Sequence, residues 1–147
     1  MAKRLCIDLR WIDCSGIGSY IKGLLPGLTA ALHDVEIVGL GAVERLQEFP
    51  WACAPNMRLV ECSAARYSLA EQFLLPMSIP RGTDLYFSPH YPIPLLYRGR
   101  LAVTVHDLSH LVLKEVNESP LKRVYATTML NAVRRRASLI LTVSIEN

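Results

Sequence analysis

Residues 4–40 read RLCIDLRWIDCSGIGSYIKGLLPGLTAALHDVEIVGL and contain three successive patterns. An apolar run of strand length extends from Arg4 to Leu9, and another extends from Val35 to Leu40. Between them, from Gly18 to Leu32, apolar residues recur at the spacing of one buried helical face. Strand, helix and strand in this order predict a βαβ unit, which joins two parallel strands.

The rest of the chain repeats this alternation. Further runs of strand length are Met57 to Glu61, Asp84 to Ser88, Leu101 to Val105 and Leu139 to Val143. These runs are apolar at nearly every position, as expected for strands that are covered on both faces. The sequence therefore predicts an α/β protein with a Rossmann-like, doubly wound and mainly parallel sheet.

Two more helices are predicted, a short one over Ser68 to Met77 and a longer one that opens with Ser119 as its cap and Pro120 in its first turn. The predicted inner face of the longer helix consists of Leu121, Val124, Tyr125, Thr128, Met129 and Val133. It closes with Arg134, Arg135 and Arg136. Three arginines there predict either a solvated helix end or a peripheral contact with anionic lipid or phosphate.

The composition limits the classes of protein to consider. A chain of 147 residues, 51% apolar and 20% charged, has the size and composition of one globular domain. The formal charge of +3 is small, which argues against nucleic acid as a partner. Asp8 interrupts what would be the apolar segment of a signal peptide, and no apolar run is long enough to span a membrane, so we expect a cytoplasmic protein.

The segment Ser15 to Ser19 carries Gly16 and Gly18 and predicts a glycine-rich turn before the first helix. Such a turn lets backbone amides approach an anionic ligand at a helix N-terminus. A dinucleotide fingerprint would require a third glycine at the position of Ile21 and an acid at the end of the second strand, so NAD is not expected. Two interpretations remain, a plain tight turn and a loop that faces a phosphorylated or sugar ligand.

His106 and Asp107 follow the buried run Leu101 to Val105, and open α/β sheets bind ligands at the carboxyl ends of their strands. His106 and His110 also have the HxxxH spacing of a zinc protease, but that site needs both histidines on one helix. The preceding strand makes such a helix improbable, so no metal is expected. His106 is then either a functional residue or a structural histidine at a strand end, with its hydrogen bonds satisfied within the protein.

A proline-stiffened aromatic loop, Tyr86 to Tyr97, follows the fourth predicted strand. His90 and Tyr91 lie in this loop, and aromatic faces and hydroxyl groups suit sugar rings. The loop is interpreted either as the wall of an acceptor pocket or as a rigid, well-packed connection.

Four motifs in order resemble the N-terminal half of a retaining GT-B glycosyltransferase of family 4. They are Ile7-Asp8-x-Arg10 with Gly16-Ile17-Gly18-x-Tyr20, Ser88-Pro89-His90-Tyr91-Pro92-x-Pro94, Thr104-Val105-His106-Asp107-Leu108, and Leu141-Thr142-Val143-Ser144. The resemblance covers almost the entire chain. It implies that residues 1–147 form the acceptor-side Rossmann-like domain and that the donor-binding C-terminal domain is absent from this sequence.

The resemblance also implies roles for individual residues. The catalytic residue would be His106, next to the transferred sugar, and the loop with Gly16 and Gly18 would face the diphosphate of a GDP- or UDP-sugar. His90, Tyr91 and Asp107 would line the site of a glycan or lipid-linked acceptor. Such enzymes need neither a metal ion nor a cofactor besides the nucleotide-sugar. We therefore expect a hexosyltransferase, similar to mannosyltransferases, that builds a cell-surface polysaccharide or glycolipid.

A second hypothesis is a non-catalytic α/β module that recognises a carbohydrate or a partner without transferring anything. After the last predicted strand we expect a further helix, so the sequence is interpreted as cut off there. Apolar surface that such a helix would cover favours self-association of this chain.

Overall fold

The computed structural model describes residues 2–106 and 119–143. Its strands are β1 (Arg4–Asp8), β2 (Glu36–Gly41), β3 (Met57–Glu61), β4 (Leu85–Ser88), β5 (Leu101–Val105) and β6 (Leu139–Thr142). Its helices are α1 (Ser15–Ala31), α2 (Val43–Leu46), α3 (Glu71–Ser78) and α4 (Pro120–Arg136), with a 3-10 turn over Pro50–Cys53. The six predicted strands are confirmed to within one or two residues at each end.

The six strands form one sheet in the order β3-β2-β1-β4-β5-β6, and every neighbouring pair is parallel. The chain winds outward from β1 to β3 and then crosses back to β4, so the direction of winding reverses between β1 and β4. In open α/β sheets, ligands bind outside the carboxyl ends of the strands at such a reversal. The predicted Rossmann-like, doubly wound sheet is thus confirmed. A ligand is accordingly expected near the segments that follow β1, β4 and β5.

Helices cover both faces of the sheet. On one face, Ile21 and Leu25 of α1 pack with Ile7 of β1 in one hydrophobic cluster. On the other face, Leu75 of α3 and Met129 of α4 belong to a second cluster. Both faces of the central strands are therefore buried, which explains why their sequences are apolar at successive positions.

Helix α4 corrects part of the sequence prediction. Ser119 is its N-cap, as predicted, since its hydroxyl group accepts hydrogen bonds from the amides of Leu121 and Lys122. The buried residues, however, are Ala126, Met129 and Val133. Leu121, Val124 and Thr128 are exposed, which contradicts the predicted inner face. At about 100° per residue these three lie on the opposite side of the helix, and the small side chain of Ala126 faces the sheet instead.

Strand β6 forms one edge of the sheet, and all four of its residues are exposed. Its sequence, Leu139-Ile140-Leu141-Thr142, is as apolar as that of a central strand. This edge therefore combines exposed apolar side chains with a backbone that pairs with β5 alone among the described residues.

Candidate functional site

Three segments meet at the carboxyl edge of the sheet. Tyr20, in the second turn of α1, makes an edge-on ring contact with His106, with ring centroids 5.0 Å apart. The ring of His90, which follows β4, lies 6.4 Å from the ring of His106, which follows β5. The structure therefore confirms that the start of α1, His90 and His106 share one edge. This arrangement is the candidate site.

His106 is partly exposed, and its ring is held in a defined orientation. Its Nε2 lies 2.8 Å from the carbonyl oxygen of Pro89. Because a carbonyl group can only accept, Nε2 carries the proton of this bond. Tyr20, whose ring contacts His106, is held in turn by a 3.0 Å hydrogen bond between its hydroxyl group and that of Thr104. The predicted catalytic residue thus has an oriented side chain at the correct edge.

His90 is buried, with 1% of its surface exposed. Its Nε2 lies 3.0 Å from the hydroxyl group of Tyr67, and its ring packs edge-on against Trp11. Its Nδ1 has no hydrogen-bond partner among the described residues. Burial, with a smaller contribution from His106, lowers the pKa of His90 to about 3, so the ring is neutral at physiological pH.

Tyr91 is also buried, and it belongs to the hydrophobic cluster under α3 and α4. Ser88 holds the loop together, because the single proton of its hydroxyl group is shared between the carbonyl oxygens of His90 and Pro92, 2.6 and 3.0 Å away. For the loop itself, the structure therefore favours the rigid, well-packed alternative. The predicted acceptor contacts of His90 and Tyr91 remain predictions, and Nε2 of His90 is already hydrogen-bonded to Tyr67. Asp107, the third predicted acceptor residue, lies outside the described residues.

The glycine-rich segment is not a loop, which corrects the sequence prediction. Helix α1 begins at Ser15, so Gly16 and Gly18 lie in its first turn. Gly18 is required by packing, because a Cβ atom there would lie 2.3 Å from the carbonyl oxygen of Ile12. A Cβ atom at Gly16 would meet nothing within 4 Å. The two glycines therefore differ, since Gly18 allows close backbone contact and Gly16 leaves open space.

The open N-terminus of α1 is electropositive. Its cap residue, Cys14, makes no side-chain hydrogen bond to the amides of the first turn. The guanidinium group of Arg66 contacts Cys14 Sγ and lies 5.3 Å from the ring centre of Trp11. Uncapped amides, the helix dipole and an arginine together favour an anion at this point. Sequence reasoning identified the helix end but missed Arg66, which is 52 residues away along the chain.

A buried ionic network under the site was also missed. Nη2 of Arg10 lies 2.7 Å from Asp8 Oδ2 and 2.5 Å from Glu71 Oε1, and all three side chains are buried. Burial disfavours the charged form of Arg10, but the hydrogen bonds and charges of Asp8 and Glu71 outweigh this and raise its pKa. Burial also raises the pKa of Glu71, although Arg10 opposes that shift. The network joins the end of β1 to the start of α3.

Among residues 2–106 and 119–143, no three His, Cys, Asp or Glu side chains are grouped so that they could hold a metal ion. No helix within these ranges is long and apolar enough to cross a membrane.

The fold places the chain in a class, that of Rossmann-like α/β domains, and the candidate site lies at the carboxyl edge of its sheet. No protein-family model matches the sequence. No curated protein matches it at a significant level either.

Proposed function

We propose that this chain is the acceptor-side domain of a retaining glycosyltransferase that moves a sugar from a nucleotide-sugar to a glycan or lipid-linked acceptor. One observation carries the proposal. An oriented, partly exposed histidine, His106, lies at the carboxyl edge of a sheet with the order β3-β2-β1-β4-β5-β6 and contacts the first helix near its uncapped N-terminus. The order of the sequence motifs around Gly16, His90 and His106 points to the same function.

The donor is a GDP- or UDP-sugar. Its diphosphate carries negative charge, which suits the amides at the start of α1 and the guanidinium group of Arg66. Gly16 supports this role because the space next to it is open. Gly18 contributes differently from the sequence prediction, by letting α1 lie close to the backbone of Ile12.

His106 is assigned to the transferred sugar. Because Nε2 donates to Pro89, we assign the other ring nitrogen to the contact with the substrate. One polar contact that strengthens in the transition state contributes on the order of 10²-fold to a rate. On the acceptor side, Tyr67 is exposed and lies over His90, so its phenol is the group that an incoming acceptor meets first.

One domain supplies only one wall of such a site. A second α/β domain would exclude water and stabilise the charge of the departing nucleotide. We therefore expect the isolated chain to bind nucleotide-sugars weakly and to transfer nothing.

The test is an NMR titration of the isotope-labelled chain with UDP-glucose and with GDP-mannose. We expect the amide of Gly16 and the ring protons of His106 to shift, with a Kd weaker than about 1 mM and no transfer product. The variant His106→Ala reports on the site. His33→Ala is the matched control, because His33 is exposed and follows α1, on the opposite edge of the sheet. When the chain is joined to a donor-binding domain, His106→Ala should lower kcat by about 10²-fold and His33→Ala should leave it unchanged.

Three results would contradict the proposal. Micromolar binding or product formation by the chain alone would put the donor site on this domain and overturn the division of roles. Shifts with free sugars but none with nucleotide-sugars would identify a carbohydrate-binding module. No shift at the carboxyl edge with any of these ligands would remove the site altogether.

A further inference from the structure

Charge is distributed unevenly between two parts of the molecule. Residues 2–61 contain six Lys or Arg and seven Asp or Glu. Residues 62–147 contain ten Lys or Arg and six Asp or Glu, and of these acids Glu71 and Asp84 lie in the part of the chain that the structure describes. Of these two, Glu71 is buried against Arg10. The formal net charge is therefore −1 over residues 2–61 and +4 over residues 62–147, which include α3 and α4.

Exposed apolar side chains are concentrated in the same part. Every large apolar side chain that is exposed among the described residues lies between Tyr67 and Val143. The most prominent group is on α3, where Phe73 is 63% exposed and Met77, one turn later, is 81% exposed. Leu74 lies on the same helix, and Leu69, two residues before its start, is also exposed.

Hydrogen bonds connect this helix to the arginines. Gln72 of α3 donates to the carbonyl oxygen of Ile93 and accepts from the amide of Leu95. Arg136, at the end of α4, donates to the carbonyl oxygens of Leu95 and Tyr97. The 93–97 segment is thereby fixed between the two helices.

Basic and apolar groups meet in a shallow pocket next to this segment. The pocket has a volume of about 380 Å³ and is lined by Leu95, Leu96, Arg98 and Arg136. Leu96 is exposed at its edge. We call the exposed side chains of Leu69, Phe73, Leu74, Met77, Leu96 and Arg98 the basic apolar face.

We propose that the basic apolar face is a docking surface for a membrane that contains anionic phospholipids. The face combines exposed apolar side chains with an exposed arginine, and Asp84 is the only exposed acid among residues 62–106 and 119–143, so the face offers both an apolar and a cationic part to such a membrane. Phe73 and Met77 would enter the boundary between headgroups and acyl chains, and Arg98 would face a lipid phosphate. The proposed contact is peripheral, because exposed side chains of a folded domain enter the membrane surface. It is independent of sugar transfer.

The experiment is flotation of the chain with vesicles of phosphatidylcholine, with and without phosphatidylglycerol. We expect binding only where phosphatidylglycerol is present, and less binding at high salt. The double variant F73S/M77S should weaken it by about tenfold or more, because two apolar side chains no longer insert. R98Q should weaken it by about fivefold. K22Q is the matched control, since it removes the same charge from α1, on the other face of the sheet, and should bind normally.

The variants change exposed residues, so thermal unfolding of each should match the original chain. Equal binding to vesicles without phosphatidylglycerol, or full binding by F73S/M77S, would overturn the proposal. So would a dimer in solution that F73S/M77S dissociates while no vesicle binds, because the face would then join two copies of the chain. None of these outcomes depends on nucleotide-sugar binding, so the docking surface and the proposed function succeed or fail separately.

Discussion

The hydroxyl group of Tyr67 lies 3.0 Å from Nε2 of His90, so the phenol of an exposed tyrosine is hydrogen-bonded to a buried imidazole. Tyr67 adopts a left-handed backbone conformation, with φ at 60°, which is uncommon for a residue with a large side chain. Its amide donates to Oε2 of Glu71, which helps to hold this conformation. The surface of the site and its buried ionic network are therefore joined through one residue.

The low pKa of His90 makes stability depend on pH. The unfolded chain protonates this side chain near pH 6.5, whereas burial keeps it neutral in the folded chain down to about pH 3. Between these values the unfolded state binds one more proton, so stability falls as the pH is lowered. We expect a contribution from His90 of about 2 kcal/mol to the loss of stability between about pH 7 and pH 5. Urea unfolding at the two pH values measures it.

His90→Gln should lack this contribution, and His33→Gln, at an exposed position, should retain it. If His90→Gln loses as much stability on acidification as the original chain, the imidazole is protonated in the folded state and the prediction is wrong.

The two glycines of α1 should respond differently to alanine. At Gly18 the new methyl group would meet backbone atoms of Ile12 at 2.3 and 2.9 Å, which cannot move without shifting the segment before the helix. We expect Gly18→Ala to lower the free energy of unfolding by about 1–3 kcal/mol. Gly16→Ala places a methyl group in open space and should be neutral or stabilise by up to about 1 kcal/mol. Chemical unfolding of both variants, without ligand, makes the comparison, and equal stabilities would refute the packing role of Gly18.

Two arginines offer a similar comparison between buried and exposed ion pairs. Arg10→Met would leave Asp8 and Glu71 buried without their cation, and we expect a loss of about 3–5 kcal/mol. Arg45 forms ion pairs with Asp13 and Glu48 at the surface, where solvent screens the charges, so Arg45→Met should lower the free energy of unfolding far less than Arg10→Met. Thermal and urea unfolding report both values. A loss at Arg10 no larger than that at Arg45 would show that solvent reaches the network.

The strands were predictable because a strand that is buried on both faces has apolar residues at consecutive positions. Leu101 to Val105, for example, has no polar position except Thr104, and the observed strand has the same bounds. The inner face of α4 was harder to predict, because Leu121 and Val124 are apolar yet exposed. A pattern of apolar residues cannot distinguish a side that packs on the sheet from a side that is exposed.

The candidate site was predictable only in its local parts. His106 was found because it directly follows a buried strand. Arg66, Tyr67 and Glu71 were missed because each contacts a residue that is distant in the sequence. The sequence around them does not indicate that they contact Cys14, His90 and Arg10, respectively. Tyr20 did have a signal, since it stands two residues after Gly18 in a motif that already suggested a ligand site.

The pairing of Arg10 with Glu71 has a consequence for the order of events in folding. The two residues are 61 positions apart, and β2, β3 and the crossover to α3 lie between them. Closing so long a segment is entropically costly, so we expect this ion pair to form after the rate-limiting step. Loss of the pair would then leave the refolding rate nearly unchanged and accelerate unfolding. Arg10 would in that case determine how long a folded molecule survives, and not how quickly it forms.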